Sequence, residues 1–149
     1  MNTRSLVSIL TFVLTVLLII SCATTSNMLM QSAESGDYAE VIRLIEEGAD
    51  VNAQNNTGQT ALMIASQYGH PEVAKLLIKE GANVNAQTNI GFTELMMASG
   101  KGQTEVARLL IEEGTDVNAQ NNEGFTALMW ATINVCTEVA KLLIDAGAK

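Results

Sequence analysis

A few side chains in this sequence are of types that do chemistry, and the question is whether any of them has a partner. His70 is the only histidine, and Cys22 and Cys136 are the only cysteines, in 149 residues. General acid–base catalysis and zinc binding need several groups that converge on one site, and neither His70 nor Cys136 has one at ligand spacing. We therefore expect a structural role for His70 beside a helix start, and a half-buried, unreactive thiol at Cys136.

Two further patterns resemble known sites without their full spacing. The segment Gly100-Lys101-Gly102 lacks the Gly-x-x-x-x-Gly-Lys-Ser/Thr spacing of a phosphate-binding loop, and we assign it to a turn between helices. The acid pairs at 46–47 and 112–113 recur at corresponding positions, which indicates a solvated face rather than two carboxylates in one cleft. The sequence therefore predicts no enzyme activity, no metal site, no cofactor and no small-molecule substrate.

The charge balance restricts the partners as well. Sixteen acidic and eight basic residues give a formal net charge of -8 at pH 7. Because nucleic-acid affinity depends largely on Lys and Arg side chains that neutralise phosphates, DNA and RNA are poor partners for this chain.

The first 22 residues have the layout of a targeting signal. An apolar run from Leu6 to Ile20 follows Arg4 and ends at Ser21-Cys22-Ala23. The ending Ile19-Ile20-Ser21-Cys22 resembles a bacterial lipobox, in which the cysteine thiol is acylated and the chain is cut just before it. This resemblance implies a lipidated Cys22, attachment to a membrane through the lipid anchor, and a location outside the cytoplasm, in the periplasm or at the cell surface.

Two other interpretations of this segment remain open. It is also compatible with ordinary secretory cleavage near Ala23, or with an uncleaved anchor, because residues 5–33 carry no charge. Against an uncleaved anchor, the strongly apolar part is shorter than the roughly 18 residues of a spanning helix. In the lipoprotein interpretation, residues 1–22 are the signal sequence and residues 23–28 form a short tether, of which 23–27 are small and polar.

The rest of the chain repeats with a period of 33 residues. A glycine recurs at this step at Gly48, Gly81, Gly114 and Gly147. The segment Val-Asn-Ala-Gln recurs at 51–54, 84–87 and 117–120, and Gly-x-Thr recurs at 58–60, 91–93 and 124–126. Such regularity indicates stacked copies of one unit.

These units resemble ankyrin repeats over residues 29–149. The clearest copy reads Gly58-Gln59-Thr60-Ala61-Leu62-Met63, Gly69-His70, Leu76-Leu77 and Gly81-Ala82-Asn83-Val84-Asn85-Ala86, against the family's Gly-x-Thr-Pro-Leu-His, Gly-His, Leu-Leu and Gly-Ala-Asp-Val-Asn-Ala. Ala or Glu replaces the family's Pro, and Met replaces its His, in all three full copies. The resemblance implies an all-α repeat solenoid of about four units, each two helices and a hairpin loop, at 29–57, 58–90, 91–123 and 124–149.

Local chemistry favours the same helical unit. Thr60, Thr93 and Thr126 can each cap a first helix, since the hydroxyl oxygen accepts hydrogen bonds from backbone N–H groups. Pro71 suits the start of the second helix, and Gly81 can end it in the left-handed conformation. Two short helices cannot bury their apolar face alone, so neighbouring units must stack.

The terminal units differ from the middle ones. The first lacks the Gly-x-Thr opening and is rich in acids, which is typical of a solvated capping repeat. The last ends before a further hairpin and has Val135-Cys136 where the middle copies have Gly-His or Gly-Gln, so we expect a weakly capped C-terminal end. Large apolar residues that recur at one period are expected in the core: Met63, Met96 and Met129, and likewise Ile64, Met97 and Trp130.

In ankyrin proteins the hairpin tips and the first helices line a concave binding face, and the resemblance assigns positions to it. They are Asn56, Thr57, Gln59, Gln67 and Tyr68, then Asn89, Ile90, Phe92, Gly100 and Lys101, then Asn122, Glu123, Phe125, Ile133 and Asn134. Phe92 and Phe125 have two interpretations: they are aromatic anchors for a partner, or they pack against the neighbouring hairpin.

Positions that are constant among the repeats and positions that vary among them indicate different roles. Leucine is constant at the corresponding positions 62, 95 and 128, whereas positions 59, 92 and 125 hold Gln, Phe and Phe. This variation indicates that the second set of residues is selected for contacts with a partner and not for packing between repeats. The sequence predicts a non-enzymatic protein-interaction module, membrane-tethered outside the cytoplasm, whose partner is another protein. The alternative is an accessory or inhibitory subunit of a specific enzyme in the same compartment.

Overall fold

Pairs of short helices, each followed by a loop, make up the structure, a computed structural model that describes residues 11–13, 15 and 24–149. Helix α1 covers 24–35, and the helices after it are α2 (Tyr38–Glu46), α3 (Ala61–Tyr68), α4 (Pro71–Lys79), α5 (Glu94–Lys101), α6 (Thr104–Glu112), α7 (Ala127–Ile133) and α8 (Thr137–Asp145). These described residues contain no strand. The predicted all-α repeat solenoid is confirmed.

Threonine caps fix the start of each inner helix. The hydroxyl oxygen accepts from the amide three residues on, at 3.2 Å for Thr60 and 3.3 Å for Thr93 and Thr126. Because this bond satisfies an N–H group that the helix leaves unpaired, the helix begins correctly without the family's proline. Pro71 is the first residue of α4, and Gly81 follows that helix with φ +91°, both as predicted.

The helices form two layers. The inner helices α3, α5 and α7 stack side by side, the outer helices α4, α6 and α8 form the second layer, and each inner helix packs on the outer helix that follows it. Leucines from both layers, such as Leu62, Leu77 and Leu110, are fully buried between them. Leu29 and Ala33 of α1 join the same core, which therefore runs from the first repeat to the last.

Side chains of one repeat close the turn of the repeat before it. The Nε2 atom of His70 lies 2.9 Å from the backbone oxygen of Glu34, and the Nε2 group of Gln103 donates to the oxygen of Gln67 at 3.2 Å. A Cβ at Gly36 would meet the His70 ring at 2.5 Å, so this turn requires glycine for space as well as for its φ of +73°. His70 thus has a structural role, although it bonds to the preceding repeat and does not cap its own helix.

The last repeat lacks this link. Cys136 occupies the position of His70 and Gln103, and its half-buried thiol contacts the backbone oxygen of Asn134 in its own turn, at 3.6 Å. Val135 takes the left-handed conformation, with φ +59°, at the position where the earlier repeats have glycine. The predicted weak C-terminal cap agrees with this geometry.

Two expectations for single positions need correction. Met129 is 43% exposed whereas Met63 and Met96 are at most 1% exposed, because no helix pair among the described residues stacks on α7. Met129 is therefore not a core residue. In the segment predicted as a turn, Gly100 and Lys101 instead end α5, and the left-handed Gly102 makes the turn.

The predicted tether is also helical where it is described. Residues 24–28 belong to α1, and Ser26 is buried, with its hydroxyl oxygen accepting from the amide of Asp50 at 3.2 Å. Of the predicted signal sequence 1–22, the structure describes only residues 11–13 and 15, which are helical, and Cys22 lies outside the described residues. No helix in the described ranges is long and apolar enough to cross a membrane.

Candidate functional site

A groove of about 450 Å³ opens on the face formed by the hairpin loops and the inner helices α5 and α7. It is lined by Thr57, Gln59, Gln67, Thr88, Ile90, Phe92, Met96, Met97, Gly100, Lys101, Trp130 and Asn134. Nine of these residues belong to the second and third repeats, and the other three are Thr57 of the first repeat and Trp130 and Asn134 of the fourth. The groove therefore crosses repeat boundaries.

The groove brings together about half of the positions that the resemblance assigned to a binding face. Those that line it are Thr57, Gln59, Gln67, Ile90, Phe92, Gly100, Lys101 and Asn134. Those that do not are Asn56, Tyr68, Asn89, Asn122, Glu123, Phe125 and Ile133. Their role in partner binding stays a prediction.

Phe92 and Trp130, two of the three rings of an aromatic cluster, form the floor of the groove. The ring of Trp130 lies between Phe92, at a centroid distance of 5.1 Å, and Phe125, at 5.7 Å, and both pairs are tilted. Phe92 thus packs against α7 of the following repeat and still lines the groove, whereas Phe125 does not line it. Packing between repeats and contact with a partner are therefore compatible roles for Phe92, because its half-buried ring packs on Trp130 and also lines the groove.

The hairpin loop holds Phe92 in place through its backbone. The amide of Thr88 donates to the oxygen of Phe92 at 2.9 Å, and the amide of Phe92 donates to the hydroxyl oxygen of Thr88 at 3.0 Å. In the next hairpin the side-chain oxygen of Asn121 accepts from Phe125 in the same way, at 2.9 Å. These paired bonds orient the residue that precedes each threonine cap.

Asparagines at the hairpin tips connect neighbouring repeats. The Nδ2 group of Asn89 donates to the backbone oxygen of Asn56 at 2.9 Å, and that of Asn122 donates to the oxygen of Asn89 at 3.3 Å. These amides are engaged within the stack. They position the groove wall that carries Ile90.

The groove has one charged residue. Lys101 is exposed at the end of α5, and every other lining residue is uncharged. Tyr68 does not line the groove, and its hydrogen bond with the Glu34 carboxylate raises the pKa of its phenol. The groove is therefore apolar with a single cation at its edge, on a chain whose net charge is -8.

A buried acid, which sequence reasoning missed, is the first residue of α5, a helix that lines the groove. Glu94 is 0% exposed, and neither carboxylate oxygen has a hydrogen-bond partner in the part of the chain that the structure describes. Burial raises the pKa of Glu94 to about 8. At the position of Glu94 the other two full repeats have Ala61 and Ala127. The helices on either side of α5, which are α3 and α7, contain no Asp, Glu, Lys, Arg or His. The feature of the sequence that could have revealed this buried acid is a Glu at a position that is Ala in both other full repeats.

The fold and the groove define the class: an all-α solenoid of paired helices and hairpins with an apolar groove on its hairpin face. A family model described as ankyrin repeats (3 copies) matches residues 12–88, 29–121 and 86–149. The chain belongs to the ankyrin-repeat family. The proteins of this family generally bind other proteins.

Individual relatives share only a short part of their length with this chain. A probable E3 ubiquitin-protein ligase, XBOS32, of Oryza sativa subsp. japonica is 44% identical over 50 residues, which are 34% of this chain and 10% of the relative. The E3 ubiquitin-protein ligase XBAT33 of Arabidopsis thaliana is 52% identical over 44 residues, 30% of this chain and 9% of that protein. The mitochondrial disaggregase of Bos taurus is 53% identical over 38 residues, 26% of this chain and 6% of that protein. The chain thus spans a tenth or less of these relatives.

Proposed function

We propose that this protein is a non-enzymatic binding module whose partner is another protein, and that the groove on the hairpin face is its binding surface. The observation that carries the proposal is the residue composition of the groove. It contains apolar side chains at copy-variable positions, such as Phe92, Met97 and Trp130, together with amides at its rim. Aromatic and methionine side chains flanked by polar groups are typical of interface centres.

The repeat architecture supports this surface. Leu62 and Leu95 are fully buried between the layers and have the same identity because stacking requires it. Gln59 and Phe92 stand at corresponding positions on the groove, yet differ in size and polarity. The ring of Phe92 packs on Trp130 of the following repeat and also lines the groove, so a bound partner can contact this variable position.

We further propose that the protein is tethered to a membrane outside the cytoplasm through a lipid on Cys22. The support is the sequence of residues 19–22 and the apolar run before it. The first described residue after Cys22 is Thr24, which is already helical. A lipid on Cys22 would therefore hold the first repeat close to the membrane surface, and the groove would meet proteins at that surface.

A comparison of matched variants tests the binding surface. The full chain with a C-terminal tag is chemically cross-linked in its native membranes, purified, and its attached proteins are identified by mass spectrometry. Met97→Arg places a charge in the groove, and Arg108→Glu changes an exposed residue of the outer helix α6. We expect a protein that wild type and Arg108→Glu retain and Met97→Arg loses, with thermal midpoints unchanged. A partner lost by Arg108→Glu and kept by Met97→Arg would place the site on the outer layer.

A further inference from the structure

The groove combines an apolar floor with a single positive charge. Phe92, Met97 and Trp130 provide the floor, and Lys101 is the one ionic residue of the lining. Its volume of about 450 Å³ lies in the range of pockets that take a ligand of a few side chains, roughly 300 to 1,000 Å³, and not a folded domain. An occupant that fits must bury apolar surface and place one anionic group beside Lys101.

The charge of the whole chain limits how acidic that occupant can be. The formal net charge is -8, so a segment with many carboxylates is repelled before it reaches the groove. A single carboxylate next to Lys101 meets little of this repulsion, because the repulsion grows with the number of negative charges on the segment. Recognition of one acid is therefore favoured over recognition of an acidic tract.

A strained residue lies at the lip of the groove. Val135 directly follows the lining residue Asn134, is 77% exposed, and takes the left-handed conformation that β-branched residues disfavour. The corresponding residues Gly69 and Gly102 adopt this conformation as glycines. No core contact requires a valine at so exposed a position. Strain of this kind clusters at binding sites, and the exposed Val135 side chain adds apolar surface next to the lining residue Asn134.

From these observations we infer that the groove binds a linear segment of a partner protein in which a large aliphatic or aromatic side chain lies beside a single carboxylate. The apolar side chain packs on Phe92 and Trp130, and the carboxylate pairs with the ammonium group of Lys101. Gln59 and Gln67 also line the groove, and the N–H groups of their side-chain amides can donate to backbone oxygens of the segment. This inference rests on the proposed function and adds the chemistry of the partner to it.

A peptide selection tests this chemistry. The full chain in mild detergent is immobilised through a C-terminal tag and used to select from a library of random twelve-residue peptides displayed on phage. We expect the selected peptides to share a Leu, Ile, Met or Phe with one Asp or Glu within a few positions. Selected peptides that lack an acid, or that carry acidic tracts, would overturn the inference.

Charge reversal then tests the pairing with Lys101. For a selected peptide, Lys101→Glu is expected to weaken binding by roughly tenfold, because attraction becomes repulsion, and a peptide with Lys in place of its acid should recover the loss. The matched control is Lys79→Glu, which makes the same change at the last residue of α4. Fluorescence anisotropy should give it a Kd within roughly twofold of wild type. Equal Kd values for both variants would overturn the inference.

A third variant separates this inference from the proposed function. Met97→Arg is expected to abolish binding of the selected peptides. If it does so while Lys101→Glu has no effect, the groove binds proteins and the inferred role of the carboxylate is wrong. If no peptide is selected, the inference fails, whereas the proposed function still depends on the cross-linking comparison with Arg108→Glu.

Discussion

The ring of Phe92 lies 5.1 Å from the ring of Trp130, across the boundary between two repeats. Tilted aromatic pairs at this distance attract each other through their quadrupoles in addition to the apolar area that they bury. Because both rings also line the groove, the contact that joins the third repeat to the fourth also shapes the binding surface. Stability and binding are therefore linked at this pair.

The first prediction concerns this pair. Phe92→Ala removes a half-buried ring from the contact with Trp130 and should lower the free energy of unfolding by roughly 1 to 3 kcal/mol. Ile90→Ala is the control, since Ile90 also lines the groove but is 62% exposed, and it should change stability by about 0.5 kcal/mol or less. Urea titration of the full chain measures both. Equal stability of the two variants would show that the ring contact does not join the repeats.

The second prediction concerns the pH dependence caused by Glu94. Its pKa is about 8 in the fold against an ordinary value near 4.5, so the folded protein keeps a proton that the unfolded chain releases. Stability should therefore fall as pH rises from about 4.5 to about 8. Glu94→Ala, which introduces the residue of both other copies, should be stabilising by roughly 1 to 3 kcal/mol at pH 8.5 and have much less effect at pH 4.

The control for this titration is Glu105→Ala, which removes an exposed acid from the first turn of α6. It should leave the slope of stability against pH unchanged in this range. Urea unfolding midpoints of the wild type, Glu94→Ala and Glu105→Ala, measured from pH 4 to 8.5, give the slope of stability against pH for each protein. A slope that persists in Glu94→Ala would assign the titration to another group.

Much of the fold follows from local patterns in the sequence. The 33-residue period, the threonine caps and Pro71 each act within one unit, so their effects are readable without knowing the neighbours. The contact of His70 with Glu34 joins residues 36 positions apart and depends on how the repeats stack, so the sequence does not predict Glu34 as the partner of His70. The 33-residue step from Ile64 and Met97 predicts a core position for Trp130. Only the packing of α7 on α5 places it on the groove floor.

The positions that the sequence misjudged are those where one copy departs from the others. Glu94 replaces Ala and is buried with no partner in the described part of the chain, which no pattern of hydrophobicity predicts. Met129 is a methionine like Met63 and Met96, but it is exposed because no helix pair among the described residues stacks on α7. Residues 24–27 are polar and small, yet the Ser26 hydroxyl accepts a hydrogen bond from the amide of Asp50 and the segment is helical. Composition alone does not reveal a contact 24 residues away.

The third prediction concerns Val135. Val135→Gly restores the residue of the earlier repeats at a φ of +59° and should stabilise the protein by roughly 1 kcal/mol, since it relieves left-handed strain at small entropic cost. The same substitution should weaken binding of peptides that contact the groove lip. The reciprocal change Gly102→Ala, at φ +70°, should be destabilising by about the same amount. Destabilisation by Val135→Gly would show that the valine side chain contributes packing.

The fourth prediction concerns the lipid. Metabolic labelling with a fatty-acid analogue should label the wild-type chain and Cys136→Ala, but not Cys22→Ala, because only Cys22 stands in the lipobox-like sequence. The labelled chain should also leave the membrane only with detergent. Label retained in Cys22→Ala, or absent from all three proteins, would contradict acylation at this position.

Site-specific photo-cross-linking in native membranes tests the central claim, that the groove binds a protein. A photo-reactive amino acid replaces Ile90, which lines the groove and is exposed, or Lys75, which is exposed on the outer helix α4. We expect a discrete cross-linked adduct of higher mass from position 90 that disappears in the Met97→Arg background, and no such adduct from position 75. The same adduct from position 75, unaffected by Met97→Arg, would contradict it.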